Sequence, residues 1–279
     1  VFQDPKTFSN TASEEHWLEL VLPQKGPRLQ GWADRNQMIT DMDEGGIDRC
    51  ALLAWYWENP QTCFLQNEWH ARWIKDDPDR FYAFAAVHPE MKDPLGELTK
   101  RHVQGFSGIG ECHPWVQGFS MSNPTWLSCM EFAQDQGWPV NFHVTEPLGH
   151  DYPGRTATPI EDFLWLARQF PRLKIILAHA GGLFPFYELN PRLKPELKNV
   201  YYDLAACPLL YDPSLYRLLI DAVGREKIIW GSDYPLKIYP GRQSKPDFST
   251  FRNDLIEQAK LSDIEQEAIF GLTFLSLLN

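Results

Sequence analysis

Seven short apolar or β-branched runs recur along the chain, at residues 47–55, 81–88, 106–111, 140–144, 174–179, 200–204 and 227–233. Between them lie longer stretches whose apolar positions repeat every three to four residues, which predicts helices over 34–44, 67–75, 126–136, 159–170, 213–223 and 250–260. Strand-like runs alternating with helical ones indicate repeated βα units around a parallel sheet. The near-continuous hydrophobicity of several runs suits strands covered on both faces.

An open doubly wound sheet and a closed barrel both satisfy this pattern, and the polar residues choose between them. Glu111, His143, His179 and Asp233 stand at or near the C-terminal ends of four runs, and His88 ends a fifth. Side chains from five strands therefore converge on one rim, as in a barrel, whereas an open sheet gathers ligands at one switch point. The segment Gly108-Ile109-Gly110 has His113 where a dinucleotide-binding loop needs another glycine, and no phosphate-binding G-x-x-x-x-G-K-[ST] occurs. The expected fold is one α/β domain over residues 1–279, a (β/α)8 TIM barrel. Seven runs are one short of eight. The deficit lies at the front, where a single helical pattern and the stub Val1-Phe2 are the only signals, so the first strand is expected to be missing or truncated.

Composition narrows the partners. Hydrophobic residues make up 43% and charged residues 23% of 279, the balance of a globular protein. Lys plus Arg number 26 against 37 Asp plus Glu, a net charge of −11 with no run of five or more like charges, which excludes a phosphate-tracking nucleic-acid binder. No apolar stretch approaches the roughly 18 residues of a membrane span, and the opening Val-Phe-Gln-Asp-Pro has neither region of a signal peptide. Five cysteines at wide spacings, without C-x-x-C, read as reduced thiols. The expectation is a cytoplasmic protein with a small-molecule substrate and no membrane or nucleic-acid partner. A homodimer is compatible with this sequence.

The imidazoles of His143 and His179 and the carboxylate of Asp233, with Glu111 as a fourth candidate, are the side chains of a divalent-metal site, spaced by one or two βα repeats. Such a site lowers the pKa of a bound water and polarises a carbonyl. Other groups follow the strands. Glu146, His150 and Arg155 crowd the loop after 140–144, where they suit proton transfer or a carboxylate clamp, against the alternative of a solvated loop. Trp55 and His113 follow two other runs and suit substrate contact or ordinary packing. His88 suits a structural cap as well as substrate contact. His16, His70 and His102 fall in helix-like segments and are expected on the surface. No G-x-S-x-G elbow supports serine chemistry.

The stretches Gly108-Ile109-Gly110-Glu111, Asn141-Phe142-His143-Val144, Leu177-Ala178-His179-Ala180-Gly181-Gly182 and Gly231-Ser232-Asp233-Tyr234-Pro235 occur in an order that resembles the metal-dependent amidohydrolase superfamily. The likeness is to the TIM-barrel branch that includes aminocarboxymuconate semialdehyde decarboxylase and many predicted hydrolases. The tail Ile269-Phe270-Gly271-Leu272-Thr273 is similar to that branch's closing I-x-G-x-N, with Thr273 for Asn. The resemblance implies a metal-dependent hydrolase of a small organic acid, ester, lactone or amide. His143 would be a metal ligand, Asp233 a ligand or general base, and His179 a ligand or the group that activates water or holds the carbonyl. Glu111 would match a bridging ligand used in some branches. The implied cofactor is a divalent ion, zinc first and manganese next. The His-x-His that closes the family's first strand is absent here, which implies weak metal binding or none if it is truly missing. A decarboxylase of the same branch, a metal-free lactonase-like enzyme and a catalytically silent binding barrel are the alternatives.

Overall fold

The computed structural model describes residues 13–26 and 28–278, so the stub Val1-Phe2 lies outside the described residues. Each of the seven apolar runs contains a strand: β1 (Cys50–Leu52), β2 (Phe81–Ala85), β3 (Gly108–Cys112), β4 (Pro139–Phe142), β5 (Lys174–Leu177), β6 (Val200–Asp203) and β7 (Ile228–Ile229). All neighbours pair in parallel, in the order β1 to β7. Among the described residues β1 and β7 do not pair with each other, so the sheet curls into a half-barrel that is open where an eighth strand would lie.

Register divides each strand into an outer and an inner face. Phe142, Leu177, Tyr202 and Ile228 align across β4 to β7 and belong to the core cluster under the helices. Phe142 meets Trp126 and Phe163, at ring centroids of 6.1 and 5.5 Å, from helices Pro124–Gln136 and Glu161–Gln169. The alternate residues Asn141, Ile176 and Tyr201 face the barrel interior, where Phe84, Ile176 and Ile229 form a separate apolar layer. Two residues further on, the same inner face brings His143 and Asp203 to the rim.

Three helices begin with the same device, an Asx residue capping a proline-led first turn: Asn59 before Pro60, Asp93 before Pro94 and Asn123 before Pro124. This start signal explains why the helix expected over 67–75 runs from Pro60 to Asp76, and it opens the helix Pro94–Val103, which the sequence pattern does not predict. Among the described residues the front of the chain carries two helices, Glu15–Val21 and Arg35–Gly45, where the pattern predicts one. Trp17 and Val21 of the first pack with Ala54, Trp57, Cys63 and Ala86. That packing corrects two expectations for surface histidines. His16 is half-buried with its ring against Tyr56, and His70 is buried on the inner face of its helix with Nδ1 3.3 Å from the Phe84 carbonyl. His102 is exposed as expected. All five cysteines are unpaired, and among the described residues no helix is long and apolar enough to cross a membrane.

Two outcomes follow from this packing. Phe142→Ala removes a ring wedged between two helices and should lower unfolding free energy by about 3–5 kcal/mol, read as a shifted denaturant midpoint. Glu14 is fully buried, accepting from the Glu58 N–H at 2.9 Å, and burial pushes its carboxyl from 4.5 up to about 7. The folded chain therefore holds a proton that the unfolded chain releases near pH 4.5. The associated stability is full below that pH and is lost as pH rises through about 7. Glu14→Gln should melt like the parent at pH 5 and higher than it at pH 8, and parallel melting curves across that range would contradict this account.

Candidate active site

Three consecutive strand ends supply the centre of the rim. At β3, Gly110 has φ +137°, and a Cβ there would lie 2.7 Å from the Asn141 carbonyl. Glycine thus lets β3 approach β4 closely, and the next residue, Glu111, is pinned by a 2.7 Å bond from its N–H to the Ala54 carbonyl. His143 follows β4, its N–H donating to the Cys112 carbonyl at 2.9 Å. His179 lies just beyond β5 and opens a run of left-handed residues, 179–183, with φ between 55° and 68°.

The side chains of these three residues meet. His143 Nδ1 is 3.2 Å from Glu111 Oε1 and 3.1 Å from His179 Nε2, and His179 Nε2 is 3.7 Å from Glu111 Oε1. Bonds of about 2.0–2.2 Å at near-tetrahedral angles separate donor atoms by about 3.3–3.5 Å, so this two-histidine, one-carboxylate set has the size and chemistry to hold a divalent ion. The His179 tautomer suits the role. Its Nδ1 lies 2.8 Å from the Ala205 carbonyl and donates there, which leaves a lone pair on Nε2 toward the other two donors. Asp203, at the end of β6, braces the same residue. Its Oδ1 accepts from the N–H groups of His179 and Ala205 at 3.2 and 3.0 Å, and its Oδ2 accepts from Asn141 Nδ2 at 3.0 Å.

Burial sets the electrostatics. It pushes the Glu111 carboxyl up to about 7 against the opposing pull of His179, and Asp203 up to about 6. It also drives His143 well below the ordinary imidazole value, with His179 and His16 acting in the same direction. Burial opposes protonation of His179 too, but the carboxylates of Glu111, Asp233 and Asp203 outweigh it and the net shift is upward. Carboxylates held this far out of water are costly without a cation, and a bound metal ion reverses that balance.

Asp233 follows β7 in a left-handed conformation, φ 52°, and faces the same cavity. Its residue surface is exposed; desolvation by the surrounding protein raises its carboxyl, His179 opposes and Glu111 adds to that shift, and it stands outside the cluster of three donors. The cavity has a volume of about 1260 Å³. Trp55, Tyr56 and Tyr152 wall its upper part beside the donors, and it continues down the open side of the half-barrel to Phe84, Ile229 and Phe274.

The other expected residues take varied places. Trp55 lines the cavity, stacked on Tyr56 at 4.4 Å. His150 lines it from an exposed loop position. Glu146 lines it with its carboxylate engaged, Oε2 accepting from the Tyr211 hydroxyl and Oε1 from the Leu148 N–H. Arg155 reaches the wall, yet its Nη2 donates to the carbonyls of Glu146 and Pro147 at 3.0 Å each, so it ties the loop together instead of standing free as a clamp. The expected substrate contact at His113 is corrected: this ring is 1% exposed, stands behind His143 and does not line the cavity, because the turn after β3 folds it inward. His88 is a buried structural cap, with its two nitrogens on the Gln117 carbonyl and the Glu90 N–H. Sequence reasoning missed Asp203 and Asn141. An acid closing the run Val200-Tyr201-Tyr202-Asp203 is the same signal that exposed Glu111, whereas Asn141 inside an apolar run leaves none.

Comparison with known proteins fits this geometry. A family model described as amidohydrolase matches residues 55–273. The chain is 23% identical over 247 residues to 2-amino-3-carboxymuconate-6-semialdehyde decarboxylase of Dictyostelium discoideum, covering 75% of this chain and 68% of that protein. Among solved structures it is similar to 2,6-dihydroxybenzoate decarboxylase from Rhizobium, with a TM-score of 0.65 at 17% identity over 99% of this chain and 96% of that one. It is also similar to a D314N mutant of 5-carboxyvanillate decarboxylase from Novosphingobium aromaticivorans, solved with bound manganese and 3-methoxy-4-hydroxy-5-nitrobenzoic acid. Here the TM-score is 0.66 at 15% identity, over 90% of this chain and 82% of that one. At these identities the solved structures speak for the fold, an amidohydrolase-type barrel. Because the matched stretch runs from the loop after β1 into the C-terminal helices and takes in Glu111, His143, His179 and Asp233 together, the chain belongs to the amidohydrolase family.

Proposed function

We propose that this chain is a divalent-metal-dependent decarboxylase of a small unsaturated or aromatic carboxylic acid. The observation that carries the reading is the convergence of Glu111, His143 and His179 donor atoms, within 4.8 Å of one another, at the head of a cavity walled by Trp55 and Tyr56. The decarboxylase relative supports this chemistry over hydrolysis. The names of that relative and of the two solved decarboxylases describe acids whose carboxylate stands on an unsaturated carbon beside an amino or hydroxyl group, and that is the substrate class proposed here.

Glu111, His143 and His179 would hold the ion, and the mixed nitrogen and oxygen set suits zinc or manganese. A bound divalent ion supplies positive charge that orients the acid and stabilises charge developing on its oxygen atoms. Tyr56 and Trp55 offer flat faces for a planar substrate. Asp233 holds the proton. The bond between the ring or alkene carbon and the carboxylate breaks, its electron pair stays on that carbon, carbon dioxide leaves, and the proton on the Asp233 carboxyl replaces it. Solvent then reprotonates Asp233, so one proton is consumed for each carbon dioxide released.

The test uses the full chain reconstituted with manganese or zinc and offered hydroxybenzoates, aminomuconates and, in parallel, simple lactones and esters. Carbon dioxide release matched to loss of the acid is the expected result, and lactone or ester cleavage without carbon dioxide would overturn it in favour of hydrolysis. His143→Ala should lose bound metal by elemental analysis and at least about 100-fold in kcat/KM. Asp233→Asn should keep the metal and lose about 10²–10⁴-fold in kcat.

A further inference from the structure

A histidine that binds a metal is ordinarily held in orientation by its second nitrogen, which donates to a carbonyl or carboxylate. His179 follows that rule through Ala205. His143 does not: its hydrogen-bond contacts run through Nδ1, toward Glu111 and His179, the same atom that would face the ion. Its ring is instead enclosed by other rings. His113 lies parallel to it, with centroids 5.1 Å apart and planes at 18°, Tyr56 tilts against it at 5.1 Å, and His179 meets it edge-on at 4.7 Å.

We propose that His113 is a positioning residue whose stacked ring fixes the plane of His143, replacing the hydrogen bond that usually orients a metal-binding imidazole. This inference rests on the metal-binding reading above. The supporting ring is itself firmly set. The His113 N–H donates to Gln117 Oε1 at 3.1 Å, and Gln117 Nε2 donates to the carbonyls of Trp57 and Val87 at 3.3 and 3.2 Å. Tyr56 tilts against the His113 ring at 5.1 Å, and Trp115 meets it edge-on at 5.7 Å. His113 Nδ1 is buried without a hydrogen-bond partner, and the ring is further held by the backbone of Thr156. What the ring presents to His143 is a flat, rigid face.

The assignment separates ring shape from ring nitrogen, and two substitutions test it. The metal-stripped full chain and its His113→Phe and His113→Leu variants are titrated with Co2+, following the visible absorption of the bound ion. His113→Phe keeps a flat face and should bind close to the parent with the same absorption bands. His113→Leu should bind about 10–100-fold more weakly, the range seen when a ligand loses its orienting partner, and with altered bands. Thermal melts of the stripped proteins identify a variant that has not folded. Should His113→Leu be one, His113→Met, of similar volume and without a ring, takes its place. Equal weakening in the Phe and Leu variants would overturn the proposal by showing that the nitrogen matters, and unchanged binding in both would overturn it by showing that the stack does not. A parent chain that takes up no Co2+ would strike the metal reading itself, whereas a binding parent with an indifferent Leu variant strikes this assignment alone.

Discussion

The carboxylate of Asp203 is the constraint on which the rim depends. One buried side chain ties three strand ends together, through Asn141 after the middle of β4, the His179 N–H after β5 and the Ala205 N–H after its own strand. The turn it holds is an unfavourable one. His179, Ala180 and Leu183 are non-glycine residues in left-handed conformations, each costing roughly 1–2 kcal/mol relative to ordinary backbone. Gly181 and Gly182 share the turn without that side-chain cost, and a Cβ at either would lie tightly, 3.1 Å from Tyr202 at Gly181 and 3.1 Å from Pro147 and Val144 at Gly182. The strain persists because β4, β5 and β6 over-determine the position, and its result is that His179 Nε2 points at Glu111 and His143 instead of into the helix layer.

That arrangement shows how a parallel sheet concentrates chemistry. Period-two alternation turns every second residue inward, so apolar groups such as Ile176 and Ile229 fill the interior while the next inward positions become polar. The polar layer is nevertheless buried, and burial raises Glu111 and Asp203 while lowering His143. A group of carboxylates and imidazoles in such surroundings is poorly stabilised by itself and responds strongly to a cation. The same burial makes the second layer of contacts decisive, since a donor displaced by a fraction of an ångström has no solvent to compensate it.

Much of this was legible in the sequence. The seven strands, their order and the polar residues at their ends follow from alternating apolar runs, and the placement of Glu111, His143 and His179 at one rim follows from parallel topology. Boundaries were less legible where short-range chemistry overrides periodicity, as at the Asx-Pro helix starts of Pro60 and Pro94. The helix Glu15–Val21 is only about two turns long, and its packing against Trp57 distinguishes it from a loop. Directions of side chains were the hardest. Nothing in one-dimensional spacing tells that His113 turns behind its neighbour while His143 turns toward the cavity, or that Arg155 spends its guanidinium on the carbonyls of its own loop.

The character of the cavity bears on which reaction the site favours. Hydrolysis needs a water held and aligned as nucleophile, whereas loss of carbon dioxide needs a localised carboxylate charge to disperse into a conjugated system. Tyr56 is 2% exposed and His179 7%, so on their side the head of the cavity is screened from solvent by protein, whereas Asp233 is exposed. A carboxylate moved from water into such a place loses hydration that its charge-dispersed transition state requires less, which lowers the barrier to decarboxylation. The flat walls of Trp55 and Tyr56 would hold the conjugated system that receives the electron pair. On this argument the apolar aromatic wall is part of the chemistry of the proposed reaction, acting together with Asp233 as the source of the proton.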